Sequence, residues 1–321
     1  MAKYKVVMAD SLFTDQDMEK EILKEIDAEF ILSPARDQDT LAELASDCDA
    51  LITTFSEITK KVIDGMEKCK VIIRSGIGVN NVDIEAATEK NIMVANVQNY
   101  CIEEVADHAM ALMLSSLRKI VVYNNSTHRG IWDMNVGRQI PRISRTSLGL
   151  YGFGNIARAV AHRALSFGME VLAYDPFIST EVFQEMKVKK IDDLSELFSQ
   201  SDVLSIHLPL SDKTRKIVDA SVFEQMKPSA FLINVARGGL IDEEALTHAI
   251  ENKLIAGCGL DVMYDEPGDL HSRLLTYENV IITPHAAFYS DYSDVELRRI
   301  TTEQVVETFT KGQPRFWLNK F

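Results

Sequence analysis

Short runs of apolar residues alternate along this chain with longer segments in which apolar residues recur every three or four positions. The short runs are rich in Val, Ile and Leu, which is typical of buried parallel strands, and the longer segments are typical of helices. Strands are predicted at Tyr4–Ala9, Glu29–Leu32, Ala50–Thr53, Val71–Arg74 and Ile92–Asn96, and again at Leu148–Tyr151, Val171–Tyr174, Val203–His207, Phe231–Val235, Cys258–Val262 and Val280–Thr283. Helices are predicted at Asp17–Ile26, Leu41–Ser46, Ile84–Lys90, Ile102 to about Tyr123, and about Asp291–Lys311.

Strands that alternate with helices indicate βαβ units and parallel sheets. The long helix from Ile102 and a loop-like segment, residues 124–146, separate the two series of strands. The last helix can return to pack on the first series, which would make the first domain discontinuous. We therefore predict one domain from residues 1–98 with 290–321, and a second domain from residues 99–289.

A glycine-rich turn follows the first strand of the second series. Gly152-Phe-Gly154-Asn155-Ile156-Ala157 fits the pattern G-x-G-x-x-G/A. The first glycine makes the turn, the second lets the backbone approach a pyrophosphate, and the third position needs a small residue for close helix packing. The helix that begins near Asn155 would direct its amides at the phosphates. Such a turn alone could also be an ordinary tight strand–helix connection.

The context of the turn favours a dinucleotide site. The next strand ends in Asp175, and an acid at that place can accept hydrogen bonds from the ribose hydroxyls of NAD. Its charge would repel the 2′-phosphate of NADP, so NAD is the predicted cofactor. Asp175 could alternatively be a solvated turn residue before Pro176. We predict an α/β fold with two doubly wound parallel-sheet domains, a Rossmann-type NAD domain and a flavodoxin-like substrate domain.

Three charged residues stand at the ends of three later apolar runs: Arg237, Glu266 and His285. In open α/β sheets ligands bind beyond the carboxyl ends of the strands, where such charges can converge. A cation, a carboxylate and an imidazole beside a dinucleotide are what hydride transfer to a 2-keto acid requires. Each residue alone could be structural, as a salt-bridge partner, a surface turn or a buried turn histidine.

The composition excludes several other classes of function. A formal charge of −14 over 321 residues argues against nucleic acid and anionic membranes as partners. The four cysteines form no CxxC pair, so reduced thiols in the cytoplasm are expected. The first residues are predicted to be a strand and not a signal peptide. No metal site is predicted, because the Glu104–His108 pair has no second histidine at suitable spacing.

Four motifs in this order closely resemble the D-isomer-specific 2-hydroxyacid dehydrogenases. They are the glycine-rich turn and the segments Asn234–Glu244, Leu260–Pro267 and Thr283–Ala286, and Arg74–Asp83 extends the resemblance into the first domain. Within that superfamily, Asn99–His108 and Pro284–Ser290 look most like the C-terminal-binding-protein branch. That branch has Trp where Phe288 stands here. The phosphoglycerate branch has basic residues near the end of the third strand, and Leu51–Glu57 has none, so a phosphorylated substrate is less expected, although the segment Arg129–Arg145 could supply charge from a partner subunit.

The resemblance implies roles for individual residues. Arg237 should hold the carboxylate or 2-oxo group of the substrate, His285 should be the acid/base, and Glu266 should orient His285 and favour its imidazolium form. The backbone of Ser75, Gly76 and Ile77 should help to bind the substrate carboxylate. The remaining cofactor residues are implied to be Asp261 at the nicotinamide carboxamide, Val235 and Ala236 at the nicotinamide, and His207 and Pro209 in the cleft.

The resemblance thus implies an NAD-dependent dehydrogenase that acts on a small 2-keto or 2-hydroxy acid. The segment Ile102–Arg145 is expected to form a homodimer interface, as in the family. The rival from another class is an NAD(H)-sensing binding protein, a corepressor whose cofactor-bound form recruits a partner. The Arg, Glu and His set can be intact in that branch too, so the set does not discriminate between the two.

Overall fold

In a computed structural model, which describes residues 2–321, the chain divides into two compact units. One unit is Met1–Tyr100 with Ser290–Phe321, and the other is Cys101–Tyr289. The last helix of the chain therefore belongs to the same unit as the first strands. None of the helices in the described part of the chain is long and apolar enough to cross a membrane.

The first unit is built on a parallel sheet. Over the described residues its strands are β1 (Tyr4–Met8), β2 (Ala28–Leu32), β3 (Ala50–Thr53), β4 (Val71–Arg74) and β5 (Met93–Ala95). They lie in the order β2-β1-β3-β4-β5, with all pairs parallel. This is the flavodoxin-like order, and the predicted doubly wound fold is confirmed.

Helices cover both faces of this sheet. They are α1 (Asp17–Leu23), α2 (Gln38–Ala45), α3 (Lys60–Gly65), α4 (Ile84–Glu89) and, from the end of the chain, α12 (Asp291–Lys311). Alternate residues of each strand enter two separate cores, as the pleat requires. Val7 and Leu51 lie in one core with α2 and α3, and Val6 and Ile52 lie in the other with α12.

The second unit is also built on a parallel sheet. Within the described chain its strands are β6 (Ser147–Tyr151), β7 (Glu170–Tyr174), β8 (Lys189–Lys190), β9 (Val203–Ile206), β10 (Phe231–Asn234), β11 (Gly257–Leu260) and β12 (Val280–Ile282). Their order is β12-β11-β10-β9-β6-β7-β8. The chain runs outward from β6 in one direction and then from β9 in the other, which is the Rossmann arrangement with one further strand.

The helices of the second unit pack on both sides of that sheet. They are α5 (Ile102–Leu117), α6 (Ile120–His128), α7 (Asn155–Ser166), α8 (Thr180–Glu185), α9 (Leu194–Gln200), α10 (Ala220–Gln225) and α11 (Glu243–Glu251). The single long helix predicted from Ile102 to about Tyr123 is wrong. Lys119 has a left-handed backbone with φ 58°, which ends α5 and starts α6. The predicted loop therefore begins after His128, not at residue 124.

All eleven predicted strands are present, and their ends differ from the predicted ones by at most two residues. His207 and Val235 lie just beyond β9 and β10, because the ladder pairing stops at Ile206 and Asn234. The short strand β8 was not predicted, since its two lysines carry no apolar signal. These differences leave the site residues at the ends of the predicted strands.

Candidate active site at the carboxyl edge of the second sheet

The loops that follow the strands of the second unit carry the candidate residues of that unit. All seven strands of the described sheet are parallel, so the loops that follow them leave the same edge. The direction of winding reverses between β6 and β9, and a crevice for ligands opens at such a point. In strand order the loops carry His285 after β12, Glu266 after β11, Arg237 after β10, His207 after β9, Gly152 after β6 and Asp175 after β7.

The glycine-rich turn has the geometry that its glycines allow. Gly152 has φ 96°, and a Cβ atom there would lie 2.6 Å from the carbonyl oxygen of His207. Gly154 is the N-cap of α7, and a Cβ atom there would meet no atom within 4 Å. Asn155 and Ile156 form the first turn of α7, a helix of 12 residues. The open space at Gly154 and the amides of the helix suit a pyrophosphate group.

Asp175 lies beside this turn and is half-buried. Its Oδ2 atom accepts a hydrogen bond of 2.9 Å from the amide of Phe153, and its Oδ1 atom accepts one of 2.9 Å from the amide of Phe177. The carboxylate thus ties the glycine-rich turn to the end of β7. A carboxylate fixed at this place fits the ribose hydroxyls of a dinucleotide whose pyrophosphate lies at Gly154.

His207 and Pro209 follow β9 on the other side of the reversal point. The Nε2 atom of His207 lies 2.9 Å from the Oγ atom of Ser205. Burial lowers the pKa of His207 to about 4, so its ring is neutral near pH 7. Pro209 is exposed, and its carbonyl accepts a hydrogen bond of 2.6 Å from Thr214 Oγ1. His207 and Pro209 therefore form an uncharged surface at this edge of the sheet.

Arg237 leaves the end of β10 on a backbone that one buried side chain holds. Asn234 is fully buried; its Oδ1 atom accepts from the amide of Ala236 at 3.0 Å, and its Nδ2 atom donates to the carbonyl of Arg237 at 2.9 Å. The guanidinium of Arg237 also donates to the carbonyl of Ala236 at 2.7 Å. Val235 is buried and Ala236 is half-buried. Asn234 was not singled out from the sequence, yet it fixes the direction of this segment.

Glu266 and His285 form a direct pair. The Nδ1 atom of His285 lies 2.6 Å from Glu266 Oε2, and both side chains are partly exposed, at 31% and 37%. An ionised carboxylate only accepts, so the proton of this hydrogen bond belongs to Nδ1. The Nε2 atom is then the position at which the ring can exchange a proton with a ligand.

The backbone at His285 is strained and is held by Asp261. His285 has φ 52°, a left-handed conformation that is uncommon outside glycine. Its amide donates to the carbonyl of Asp261 at 2.7 Å. The carboxylate of Asp261, only 1% exposed, accepts from the amides of Ala286 and Ala287 at 2.9 Å each. The carboxylate therefore fixes the turn that carries His285, a role that the sequence did not reveal.

In the first unit, Ser75, Gly76 and Ile77 follow β4. The amide of Ser75 donates to the carbonyl of Thr53 at 2.8 Å as part of the sheet, so it is already engaged. Gly76 has φ 140°, and a Cβ atom there would lie 1.5 Å from Nη1 of Arg74. Arg74 therefore covers this glycine closely, and only the amides of Gly76 and Ile77 are left for the expected role.

Asp10 is a further residue of the first unit that the sequence did not reveal. Its buried carboxylate accepts from three consecutive amides, those of Thr54, Phe55 and Ser56, at 2.9, 2.9 and 3.2 Å. The Nη2 atom of Arg36 lies 3.5 Å from the same carboxylate. No local pattern in the sequence indicates this contact, because Asp10 and the loop are more than 40 residues apart.

Comparison with known proteins identifies the family of the chain. The family described as D-isomer specific 2-hydroxyacid dehydrogenase, NAD binding domain, matches residues 110–287. Hydroxypyruvate reductase of Thermotoga maritima is 34% identical over 314 residues, which is 97% of this chain and 99% of that protein. D-3-phosphoglycerate dehydrogenase of Methanocaldococcus jannaschii is 38% identical over 302 residues, or 94% of this chain. The chain spans only 56% of the length of that dehydrogenase.

Solved structures agree with this result. The D-lactate dehydrogenase of Aquifex aeolicus, solved in complex with NAD and lactic acid, superposes with a TM-score of 0.83 at 27% identity. The superposition covers 96% of both chains. Residues 110–287 lie within the second unit and carry the glycine-rich turn and the Glu266–His285 pair. The chain belongs to the D-isomer-specific 2-hydroxyacid dehydrogenase family, and its second unit contains the NAD-binding domain of that family.

Proposed function

We propose that this chain is an NAD-dependent dehydrogenase that interconverts a D-2-hydroxy acid and a 2-keto acid. The observation that carries the proposal is the 2.6 Å hydrogen bond between Glu266 and His285, at the same sheet edge as the glycine-rich turn. An acid/base pair beside a dinucleotide crevice is what the reversible reduction of a carbonyl needs. The narrower resemblance to the C-terminal-binding-protein branch stays a prediction.

NAD(H), when bound, supplies or accepts the hydride at the carbonyl carbon. The residues of the chain would hold it by its phosphates at Gly154, Asn155 and Ile156, and by its ribose at Asp175. His207, Pro209, Val235, Ala236 and Asp261 are proposed to complete that site. Three donors already engage Asp261, so any bond to the carboxamide would be an additional one.

Arg237 and His285 are proposed to act on the substrate. The guanidinium of Arg237 can pair with the carboxylate or the 2-oxo group through two parallel N–H donors. His285 donates a proton from Nε2 to the carbonyl oxygen during reduction and takes it back during oxidation. Glu266 holds the ring by the hydrogen bond with Nδ1, which leaves Nε2 as the atom that exchanges the proton with the substrate.

The substrate is proposed to be a small 2-keto acid that the amides of Gly76 and Ile77 help to bind. Two curated relatives are named for hydroxypyruvate and glyoxylate, and others are named for 3-phosphoglycerate. Arg36 and Arg74 lie at the carboxyl edge of the first sheet, outside the segment Leu51–Glu57. A phosphorylated substrate therefore belongs in the test.

We propose further that the chain works as a homodimer in the cytoplasm. Ile120, Ile131, Trp132, Met134 and Val136 are exposed apolar residues of α6 and the segment after it, and Trp132 is 92% exposed. Exposed apolar side chains in such density favour a protein partner, for which a second copy is the simplest candidate. The four cysteines are buried and form no disulfide, in accord with a reducing compartment.

The function is tested by following NADH absorbance with a panel of substrates. The panel contains glyoxylate, hydroxypyruvate, pyruvate and an aromatic 2-keto acid, with D-3-phosphoglycerate in the oxidative direction. We expect one or more 2-keto acids to be reduced. His285→Ala should lower kcat by about 10²–10⁴, the usual contribution of a positioned acid–base group, with NADH affinity little changed. Arg237→Ala should raise KM as well, because the charge-assisted pair with the carboxylate is lost.

The controls separate this function from its rival. His162→Ala replaces an exposed histidine of α7 and should leave turnover unchanged. Near-normal turnover of His285→Ala would show that the proposed acid/base is wrong. If NADH binds tightly but no acid on the panel reacts, an NAD(H)-sensing binding protein becomes the better interpretation of the same site.

A further inference from the structure

His108 joins the network that holds the turn with His285. It belongs to α5, 175 residues before Thr283 in the chain, and its side chain is 24% exposed. Its Nε2 atom lies 2.9 Å from Thr283 Oγ1, and Thr283 Oγ1 lies 2.6 Å from Asp261 Oδ1. The direct distance from His108 Nε2 to Asp261 Oδ1 is longer, at 3.4 Å. The three side chains therefore form a chain of hydrogen bonds that ends on the carboxylate of Asp261.

The direction of these hydrogen bonds follows from the number of protons. A hydroxyl has one proton and an ionised carboxylate has none, so Thr283 donates its proton to Asp261. The lone pair of Thr283 must then accept from His108, which requires a proton on Nε2 of that ring. The geometry thus assigns the Nε2–H tautomer, or the doubly protonated form, to His108.

The packing of α5 explains why His108 reaches this place. A Cβ atom on Gly259 of β11 would lie 3.0 Å from Cβ of Leu112, so helix and strand touch there. His108 is four residues from Leu112 on the same helix face, about 6 Å along the axis. Asp261 is two residues beyond Gly259, about 7 Å along the strand. The close approach at Gly259 therefore brings His108 level with the end of β11.

We infer that His108 is a positioning residue, which acts through Thr283 and Asp261 to hold His285 in its left-handed conformation. Thr283 and Ala286 both donate to Oδ1 of Asp261, and Ala287 donates to Oδ2. Without His108, the hydroxyl of Thr283 would lose the donor that fixes its rotamer, and the carboxylate would lose part of its orientation. The catalytic consequence rests on the function proposed for His285.

The test compares two substitutions of His108. His108→Leu removes the donor and keeps a similar volume, whereas the side-chain amide of His108→Gln can place a nitrogen near the position of Nε2. We expect kcat for keto-acid reduction to fall about tenfold in His108→Leu, the scale of one hydrogen bond to a charged network, with NADH affinity within about twofold of normal. His108→Gln should recover most of the loss. His162→Leu, on an exposed face of α7, is the control and should not change kcat.

Thr283→Val is a second test variant, because it removes the hydroxyl that links His108 to Asp261. If His108 acts through Thr283, the double variant His108→Leu/Thr283→Val should be no slower than Thr283→Val alone. Multiplied losses in the double variant, or equal losses in His108→Leu and His108→Gln, would overturn the inference. Either result would mean that His108 acts through packing and not through its hydrogen bond with Thr283.

Hydrogen exchange of the protein without ligands tests the inference independently of activity. Amide exchange in peptides that cover residues 284–289 should be faster in His108→Leu than in the unmodified protein or in His108→Gln, because the amides of Ala286 and Ala287 bond to Asp261. Faster exchange in a protein that reduces no keto acid would support the positioning role and reject the proposed function. Unchanged exchange and unchanged kcat in an active enzyme would reject the positioning role alone.

Discussion

Three aspartates at the ends of parallel strands use their carboxylates to fix the backbone of a neighbouring loop. Asp10 accepts from the loop after β3, Asp175 from the glycine-rich turn, and Asp261 from the turn at His285. Hydrogen bonds between a carboxylate and backbone amides are among the stronger ones, and each here joins segments distant in sequence. The side chains that the loops carry are therefore held in place before a ligand arrives, which is the arrangement that positioned catalysis requires.

Asp175 should decide the choice of cofactor. A fixed carboxylate at the ribose repels the 2′-phosphate of NADPH, and such juxtaposition of like charges costs several kcal/mol. We expect the unmodified protein to bind NADH at least about tenfold more tightly than NADPH in a fluorescence titration. Asp175→Asn removes the charge and keeps an acceptor for only one of the two amides, those of Phe153 and Phe177, so it should narrow the difference between the two affinities. Equal affinities in the unmodified protein would contradict the assignment.

His207 should make the protein less stable in mild acid. Its folded pKa of about 4 is below the value of about 6.5 for an unfolded histidine, so the unfolded chain binds a proton more readily between these pH values. The stabilisation from a neutral His207 is complete above about pH 6.5 and is lost as the pH falls toward 4. Between pH 7 and 5 these two pKa values set an upper limit of about 2 kcal/mol on the loss, and the partial exposure of His207 lowers it.

Urea unfolding at the two pH values measures this effect. The matched variant is His207→Asn, which has no group that titrates in this range. The difference in unfolding free energy between pH 7 and 5 should be smaller in the variant than in the unmodified protein. An identical pH dependence in both proteins would show that His207 is not desolvated in the folded state.

At the scale of secondary-structure elements, the sequence predicted most strands and the last helix but not the interruption at Lys119. The strands are continuous apolar runs, and α12 has the predicted bounds Asp291–Lys311. The break before α6 depends on a left-handed lysine whose ammonium lies 4.5 Å from the centre of the Phe231 ring. No glycine or proline marks that position, so a tertiary contact, not a local preference, accompanies the bend.

The candidate site was also predictable only in part, because the sequence shows local patterns and not tertiary contacts. The strand ends that carry Arg237, Glu266 and His285 are visible as apolar runs followed by a charge. Asn234, His108 and Asp10 were missed because their partners are backbone atoms or residues far away in the chain. Burial of Asn234 and the approach of α5 to Gly259 become visible only when the elements are packed.

The stability of the packing between α1 and α12 should depend on one buried ion pair. Arg298 donates through Nε and Nη2 to the two carboxylate oxygens of Glu19, both at 2.7 Å, and the Glu19 side chain is 2% exposed. Without Glu19, the buried guanidinium of Arg298 keeps only the exposed carboxylate of Asp15, at 3.0 Å, so Glu19→Ala should lower the free energy of unfolding by about 3 kcal/mol, the lower end of the usual cost of breaking a buried pair. Urea unfolding measures the loss.

Glu21 provides the control on the same helix. Its carboxylate pairs with Lys24, and both side chains are exposed. Glu21→Ala should change the free energy of unfolding by less than about 1 kcal/mol, as is usual for surface pairs. Similar losses in Glu19→Ala and Glu21→Ala would mean that the pair with Arg298 is not buried in solution.

At the scale of the whole molecule, the charge of −14 and the exposed apolar segment affect association in opposite directions. Net charge of one sign keeps molecules apart, and its effect weakens within a Debye length of about 8 Å at physiological salt. An apolar patch acts at contact and is not screened. A dimer through the segment at Trp132 should therefore persist in low salt, whereas weaker association elsewhere on the acidic surface should not.

Sedimentation equilibrium tests this prediction at low micromolar concentration. The unmodified protein should sediment as twice the chain mass of 36.1 kDa. Trp132 and Met134 are 92% and 73% exposed, so replacing both with alanine removes much of the apolar area and should shift the protein toward the monomer. Phe177→Ala is the matched control, because Phe177 is equally exposed, at 93%, but lies beside Asp175 at the sheet edge. A monomeric unmodified protein, or an equal shift in the control, would leave the exposed segment without the role proposed for it.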